Sequence, residues 1–304
     1  MKKDLLTIKD LTLEEIEAIF SLARDLKKEK FKFKEKLVGK TFALIFQKPS
    51  NRTRVSFDVG IGQLGGHTLY LKPEDINLGV RESIKDTAMT LSRYVDAVIM
   101  RTFSHQLQVE FAQYATIPVI NGLSDLLHPC QALSDLFTIK EKFGKFNGIT
   151  LAYVGDGNNV CHSLLDGAAK VGFNLKIATP KRYGPLRSIV DEALMLAKKS
   201  GAEISLFFDA KEAVKNSDIV YTDVWTSMGQ EREARKRRRI FAKFQVNKAL
   251  MNLAKPNALV MHCLPAHRGE EITDEVLDGP NSIVFDQAEN RLHVQKAIML
   301  KLKI

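Results

Sequence analysis

Ten short apolar runs, alternating with amphipathic stretches, narrow the possible folds of this chain more than any other feature. Thr41–Phe46, His67–Leu71, Ala97–Met100 and Pro118–Ile120 make a first series. Ile149–Val154, Leu175–Ile177, Glu203–Phe207, Ile219–Tyr221, Ala258–Met261 and Ile283–Phe285 make a second. Helical spacing fills the gaps. A capping box at Thr12 and Glu15 precedes Ile16, Ile19, Phe20, Ala23 and Leu26, which share one helical face. Further helices are predicted from near Arg52, over Glu82–Tyr94, Leu107–Ala115 and Gln131–Phe143, and at the end from about Gln287 to Leu300. Strands alternating with helices imply parallel sheets with helices on both faces. The polar break Gly144–Gly148 separates the two series, and 304 residues are too many for one ordinary core, so two domains are expected.

Composition excludes several classes. The chain is 45% hydrophobic and 27% charged, which is globular rather than disordered. No apolar run reaches the ~18 residues of a membrane span, and the N-terminus lacks a secretory apolar core. A cytoplasmic location is the expectation. Cys130, Cys161 and Cys263 are odd in number and widely spaced, which argues against a disulfide framework or a structural zinc site. The net charge of +9 suits an anionic partner. The densest basic run, Arg235–Arg239, reads either as a solvated helix or as a polyanion contact, and no recognisable nucleic-acid module accompanies it.

The chemistry gathers where strands end. Ser50, Asn51, Arg52, Thr53 and Arg54 follow a strand at a predicted helix start, where free N–H groups, guanidinium forks and hydroxyls suit a doubly charged phosphate. Arg101 follows another strand, and His128 and Gln131 stand at another helix start. In open parallel sheets, ligands collect at the carboxyl ends of the strands. Arg52, Thr53, Arg101, His128 and Gln131 all map to that edge, and an anionic ligand explains five such residues better than five separate structural roles.

The second series begins with a misleading signal. Gly155-Asp156-Gly157-Asn158-Asn159 follows a strand, but the third glycine of a dinucleotide fingerprint is replaced by Val160, and no acid ends the next strand at Ile177–Pro180. What remains is a polar loop whose Asn158 and Asn159 either bind a zwitterion or cap a helix. Asp223, after a further strand, either holds an ammonium group or caps a turn. His262 and Cys263 suggest metal at first sight. Adjacent residues of an extended chain point to opposite faces, however, and no second cysteine is near.

Five segments, taken together and in order, carry a resemblance: Ser50–Arg54 with Phe57, His128-Pro129 with Gln131, Gly155–Asn159, Asp223 with Ser227-Met228-Gly229, and His262-Cys263-Leu264-Pro265. The chain resembles the aspartate and ornithine carbamoyltransferases, and the Ser-Met-Gly and His-Cys-Leu-Pro segments favour the ornithine branch. The resemblance implies an α/β fold of two domains, each a parallel sheet flanked by helices, with a C-terminal helix returning to the first domain. It gives residues 1–143 to carbamoyl phosphate, with the helix of about 287–304 packed back on them, and 144–286 to ornithine. Ser50, Asn51, Arg52, Thr53 and Arg101 would hold the phosphate. Thr53, Arg101, His128 and Arg291 would face the carbonyl oxygen. Gln131, with the backbone of Cys263 and Leu264, would hold the amide nitrogen. Asn159, Asp223, Ser227 and Met228 would bind ornithine, with Asp223 and Cys263 near the attacking amine and a cis Leu264–Pro265 peptide. Arg101, His128, Asp223 and Cys263 are thus the implied catalytic set. No metal or other cofactor, no nucleic acid and no membrane are implied. The partners are the two substrates and further copies of the chain, as a trimer or a multiple of trimers in which the loop between His67 and Ser83 reaches a neighbour. One departure stands out: Asn51 replaces the threonine usual in the family's Ser-Thr-Arg-Thr-Arg.

Overall fold

The computed structural model describes residues 3–29, 32–227, 229–302 and 304. The chain forms two compact units, residues 1–137 with 289–304, and residues 138–288. In the first, the order is α1 (Leu13–Lys28), β1 (Thr41–Phe46), α2 (Asn51–Gln63), β2 (His67–Leu71), α3 (Pro73–Ile76), α4 (Ile84–Tyr94), β3 (Ala97–Arg101), α5 (His105–Tyr114), β4 (Val119–Leu123) and α6 (Pro129–Phe143). In the second it is β5 (Thr150–Val154), α7 (Asn159–Val171), β6 (Asn174–Ala178), α8 (Arg187–Ser200), β7 (Ile204–Phe207), α9 (Ala210–Val214), β8 (Ile219–Thr222), α10 (Ala234–Phe241), α11 (Lys248–Met251), β9 (Leu259–His262), α12 (Asp274–Leu277) and α13 (Val284–Lys301). The chain leaves the first unit within α6 and returns to it within α13.

Both sheets are parallel, in the orders β2-β1-β3-β4 and β7-β6-β5-β8-β9. β3, β4 and β8 are buried along their whole length, as continuous apolar runs covered on two faces must be. The edge strand β2 alternates between half-buried and exposed. Ala43, Ile45, Val98, Met100 and Phe111 anchor the first core; Val154, Val220, Val260 and Ile272 anchor the second. Each fully buried side chain of Val, Leu, Ile or Phe size contributes about 1.5–3 kcal/mol. The capping box forms as the spacing predicts: Thr12 Oγ1 accepts from Glu15 N–H at 3.2 Å, and Glu15 accepts from Thr12 N–H at 2.9 Å.

One predicted strand is not there. Ile283–Phe285 does not pair as a strand. Ser282 forms an isolated bridge to β9, the Ile283 N–H donates to the Val260 carbonyl at 3.0 Å, and the backbone then turns into α13 at Val284. The buried row Val284, Gln287, Arg291, Val294 and Ile298 recurs at helical spacing, and that longer period overrides a three-residue apolar run.

Gly157 shows how tightly the loop after β5 is fixed. Its N–H donates to the Tyr183 carbonyl at 2.8 Å, and a Cβ placed there would lie 2.2 Å from Pro185 N and 2.3 Å from the Gly184 carbonyl carbon. Gly157→Ala is therefore expected to destabilise the protein by about 1–3 kcal/mol or more, because backbone must move. Thermal unfolding of the variant checks this, and an unchanged midpoint would refute the close packing.

Candidate functional site

Local structure places the first cluster. The Ser50 side chain caps α2 by accepting from Thr53 N–H at 3.2 Å. That cap buries Thr53 and directs the first turn of α2 along the carboxyl edge of the sheet. Arg101 ends the neighbouring strand β3, in register with Phe46 at the end of β1. Arg291 comes from the part of α13 that belongs to the same unit. Arg101 donates to Thr53 Oγ1 at 3.4 Å, and Arg291 donates to the same oxygen at 3.3 Å. Arg291 also donates to Gln131 Oε1, whose amide nitrogen donates in turn to Asp135 at 2.8 Å. Thr53, Arg101, His128, Gln131 and Arg291 are all buried.

The electrostatics of this cluster centre on His128. Burial and the positive charges of Arg291, Arg101 and Arg52 hold its pKa well below the usual 6.5. The imidazole is therefore neutral at neutral pH and carries one N–H donor among the guanidinium groups. Asn51 and Arg52 open α2, Asn51 exposed and Arg52 half-buried. The other guanidinium of the motif, Arg54, stacks on the Tyr70 ring at 3.8 Å.

The second cluster lies in the other unit. Asn158 Oδ1 caps α7, accepting from Val160 and Cys161 N–H at 3.0 and 3.2 Å. Its amide nitrogen donates to Asp223 Oδ2 at 2.7 Å. The other oxygen, Asp223 Oδ1, accepts from Val224 N–H at 2.8 Å and from the Cys263 thiol at 3.0 Å. Of the two readings of the Asn158–Asn159 loop, the helix cap is seen, and the same Asn158 amide also grips the Asp223 carboxylate. Asn159 follows as the first residue of α7. Ser227 is half-buried, and its N–H donates to Gln230 at 3.3 Å. Met228 lies outside the described residues.

His262 and Cys263 do not face apart as adjacent residues of an extended chain would. β9 ends at His262, Leu264 has a φ of 56°, and the Leu264–Pro265 peptide is cis. Donor atoms of Asp223, His262 and Cys263 come within 4.8 Å of one another. The imidazole is committed on both sides, however. Nδ1 accepts from Leu264 N–H at 2.8 Å, and Nε2 faces Glu271 at 3.1 Å.

The basic run divides. Arg235, Lys236, Arg238 and Arg239 are exposed on a helix, as the solvated reading has it, but Arg237 is buried. It pairs with Asp156 at 3.0 Å and Glu233 at 3.3 Å, donates to the Trp225 carbonyl at 2.8 Å, and lies over the Tyr183 ring at 5.0 Å. Burial pushes the Asp156 carboxyl up to about 6 against the opposing pull of Arg237. This pair fixes the loop before Asn158 and the stretch that follows Asp223. The sequence did carry a signal for it, because Arg237 precedes the buried Phe241 by one helical turn.

Two family models divide the chain between them. The carbamoyl-P binding domain of aspartate/ornithine carbamoyltransferases matches residues 3–141, and the Asp/Orn binding domain matches 147–302. The chain belongs to the aspartate/ornithine carbamoyltransferase family. Among relatives in that family, ornithine carbamoyltransferase of Thermococcus kodakarensis is 54% identical over 98% of this chain and 95% of its own length. The Bacillus subtilis enzyme of the same name is also 54% identical, over 98% of this chain and 92% of its own. The solved structure of ornithine carbamoyltransferase from Pyrococcus furiosus superposes with a TM-score of 0.95, at 54% identity, covering 98% of this chain and 96% of that one. The Thr53–Arg101–His128–Gln131 cluster falls in the stretch matched by the family's carbamoyl-phosphate domain. The Asn158–Asp223–Cys263 cluster falls in the stretch matched by its aspartate/ornithine domain. Arg291 is matched with the second stretch but packs in the first unit.

The state of His128 sets a pH dependence. Its folded pKa is depressed, so below about 6.5 the unfolded chain takes up a proton that the folded chain refuses. Stability is then lost as pH falls from 6.5 toward the folded value, by up to about 1.4 kcal/mol per pH unit. His128→Gln should flatten this limb and leave the slope above 6.5 unchanged. Denaturant titrations in phosphate-free buffer measure it, and parallel acid limbs for the two proteins would mean that His128 is not held neutral.

Proposed function

We propose that this chain transfers the carbamoyl group of carbamoyl phosphate to the side-chain amine of L-ornithine, giving L-citrulline and phosphate. The observation that carries the reading is the meeting of Arg101 and Arg291 on Thr53 Oγ1, with a neutral His128 beside them. Buried guanidinium groups gathered on one hydroxyl repel each other, and a compact dianion relieves that repulsion. The relatives named ornithine carbamoyltransferase support ornithine over aspartate as the acceptor. A Pyrococcus furiosus relative and a solved Campylobacter jejuni structure are both described as anabolic, which supports a place in arginine biosynthesis.

On this reading, Ser50, Asn51, Arg52, Thr53 and Arg101 take the phosphate. Thr53, Arg101, His128 and Arg291 take the carbonyl oxygen. Gln131, with the backbone of Cys263 and Leu264, takes the amide nitrogen. Asn159, Asp223, Ser227 and Met228 take ornithine. A lysine-like amine with a pKa near ~10.4 must shed its proton before it attacks, and neighbouring cations favour the neutral form. Attack places negative charge on the carbonyl oxygen, where each preorganised donor is worth about 2.7–4 kcal/mol. His128 can donate there without adding a further positive charge. The C–O bond to phosphate then breaks, and the leaving phosphate takes the second proton from the attacking nitrogen, so that it departs as the hydrogen phosphate dianion and leaves a neutral urea; no step calls on a metal or an organic cofactor. The first unit thus serves carbamoyl phosphate and the second serves ornithine.

We also read the protein as a cytoplasmic homotrimer or multiple of trimers. Exposed Val55, Val59, Met89 and Tyr94 of the first unit give such an assembly apolar surface to bury. Among the described residues, no helix is long and apolar enough to cross a membrane.

A citrulline assay with ornithine, putrescine and N-acetylornithine side by side tests the function. Product from ornithine alone is expected. Carbamoylation of putrescine or N-acetylornithine at a higher rate would replace this reading with a different acceptor. Asp223→Ala is expected to raise the KM for ornithine by about 10–100-fold, the loss of a charge-assisted contact of about 1.5–3 kcal/mol. The KM for carbamoyl phosphate should change far less. Equal effects on both constants would remove Asp223 from the acceptor's ligands.

A further inference from the structure

We propose that Gln295 is a positioning residue that sets the plane of the Arg291 guanidinium, and this inference rests on the reading of the first cluster as the carbamoyl-phosphate site. Gln295 follows Arg291 by four residues on α13, so the two side chains share one helix face. It is fully buried, where an unpaired amide would cost about 1–3 kcal/mol. One orientation of the amide satisfies both of its ends. Its oxygen accepts from Arg291 Nη2 at 2.9 Å and Nε at 3.3 Å, and its nitrogen donates to Ser56 Oγ. Ser56 Oγ donates onward to the Thr53 carbonyl at 3.3 Å. Thr53 Oγ1 receives Arg291 Nη2 again. The hydrogen bonds close a ring: Thr53, Ser56, Gln295, Arg291 and back to Thr53.

The ring has a chemical consequence. Gln295 grips the Nε–Nη2 edge of the guanidinium and Gln131 holds Nη1. Held at both edges, the fork cannot rotate about its last side-chain bond without breaking a hydrogen bond. The acceptors Thr53, Gln131 and Gln295 are all neutral. As dipoles they orient the cation without themselves cancelling its charge. Arg237 makes the contrast, since its partners Asp156 and Glu233 are carboxylates and its charge is spent within the fold.

Two substitutions separate orientation from packing. Gln295→Met keeps the volume and removes both hydrogen-bonding ends. It should lower kcat by about 10–100-fold, as expected for losing one hydrogen bond to a charged group, and leave the KM for ornithine unchanged. Gln295→Glu keeps the shape but places a carboxylate against Arg291. It should raise the KM for carbamoyl phosphate and weaken binding of inorganic phosphate, read by calorimetry, by at least about tenfold. If Gln295→Met fails to fold, Ser56→Ala decides the matter, since it removes the anchor of the amide without touching Arg291 and should shift the same constants in the same direction. Wild-type kinetic constants together with wild-type phosphate affinity in folded variants would overturn the proposal. Should the wild-type protein make no citrulline, the functional reading fails, and the phosphate titrations still report on Gln295 alone.

Discussion

Buried positive charge, gathered on a neutral hydroxyl, is the constraint around which the first unit is built. Two unit charges about 4 Å apart repel by about 4 kcal/mol at the effective dielectric of a protein. Arg101 and Arg291 accept such a penalty by sharing Thr53 Oγ1. The rest of the unit has to hold them there. The Ser50 cap fixes the turn that carries Thr53, β3 pairs with β1 up to Arg101, and α13 is tied down along its length. That helix is fastened by polar contacts as well as apolar ones. Lys27 donates to Asn290 and Lys296 to Gln63, both at 2.8 Å, and the absent side chain of Gly60 makes room for the Lys296 stem. Buried polar contacts of this kind specify one docking register more sharply than they add stability.

The two units treat buried arginine in opposite ways, and the difference separates structure from chemistry. Arg237 faces two carboxylates, an aromatic ring and a carbonyl, so its charge and donors are used up inside the fold. It works as a brace between two loops. Arg291 donates to a hydroxyl and two amides, dipoles that direct its donors without themselves cancelling its charge. The carboxylate Asp223 follows the second pattern with the sign reversed. An amide, a backbone N–H and a thiol hold it in place, and each is neutral. A group kept for binding is oriented by dipoles; a group kept for stability is paired with a charge.

That distinction explains what could be read from the sequence. The alternation of apolar runs and helical stretches located nearly all the strands, because burial on both faces leaves a compositional trace within four to six residues. Thr41–Phe46 and His67–Leu71 match the predicted limits at both ends. Ile283–Phe285 failed because three apolar residues carry no period of their own, and the row from Val284 to Ile298 does. Arg101 and His128 could be found because the topology of a parallel sheet gathers strand ends whatever the side chains are. Arg237 and Gln295 could not be found in that way. Helical spacing places each on a face with buried residues, but the partners that use its polar atoms come from segments far away in the chain. His262 and Cys263 were misjudged for a local reason, since an alternation rule for extended chain fails where β9 ends and Leu264 takes a positive φ.

The neutrality of His128 follows from the same electrostatics and limits what chemistry the cluster can support. An imidazolium among Arg52, Arg101 and Arg291 would add a like charge without hydration, and both effects hold the proton off. The ring therefore offers one N–H and no net charge. A donor of that kind stabilises an oxygen that gains negative charge during reaction, yet adds little to the attraction for the phosphate that is already anionic in the ground state. The guanidinium groups act on both. Rate enhancement depends on contacts that strengthen in the transition state rather than on those that hold the substrate equally well throughout. On the proposed reading, a neutral imidazole set among fixed cations meets that condition, because the cations assigned to the anion are also the groups that keep the imidazole neutral.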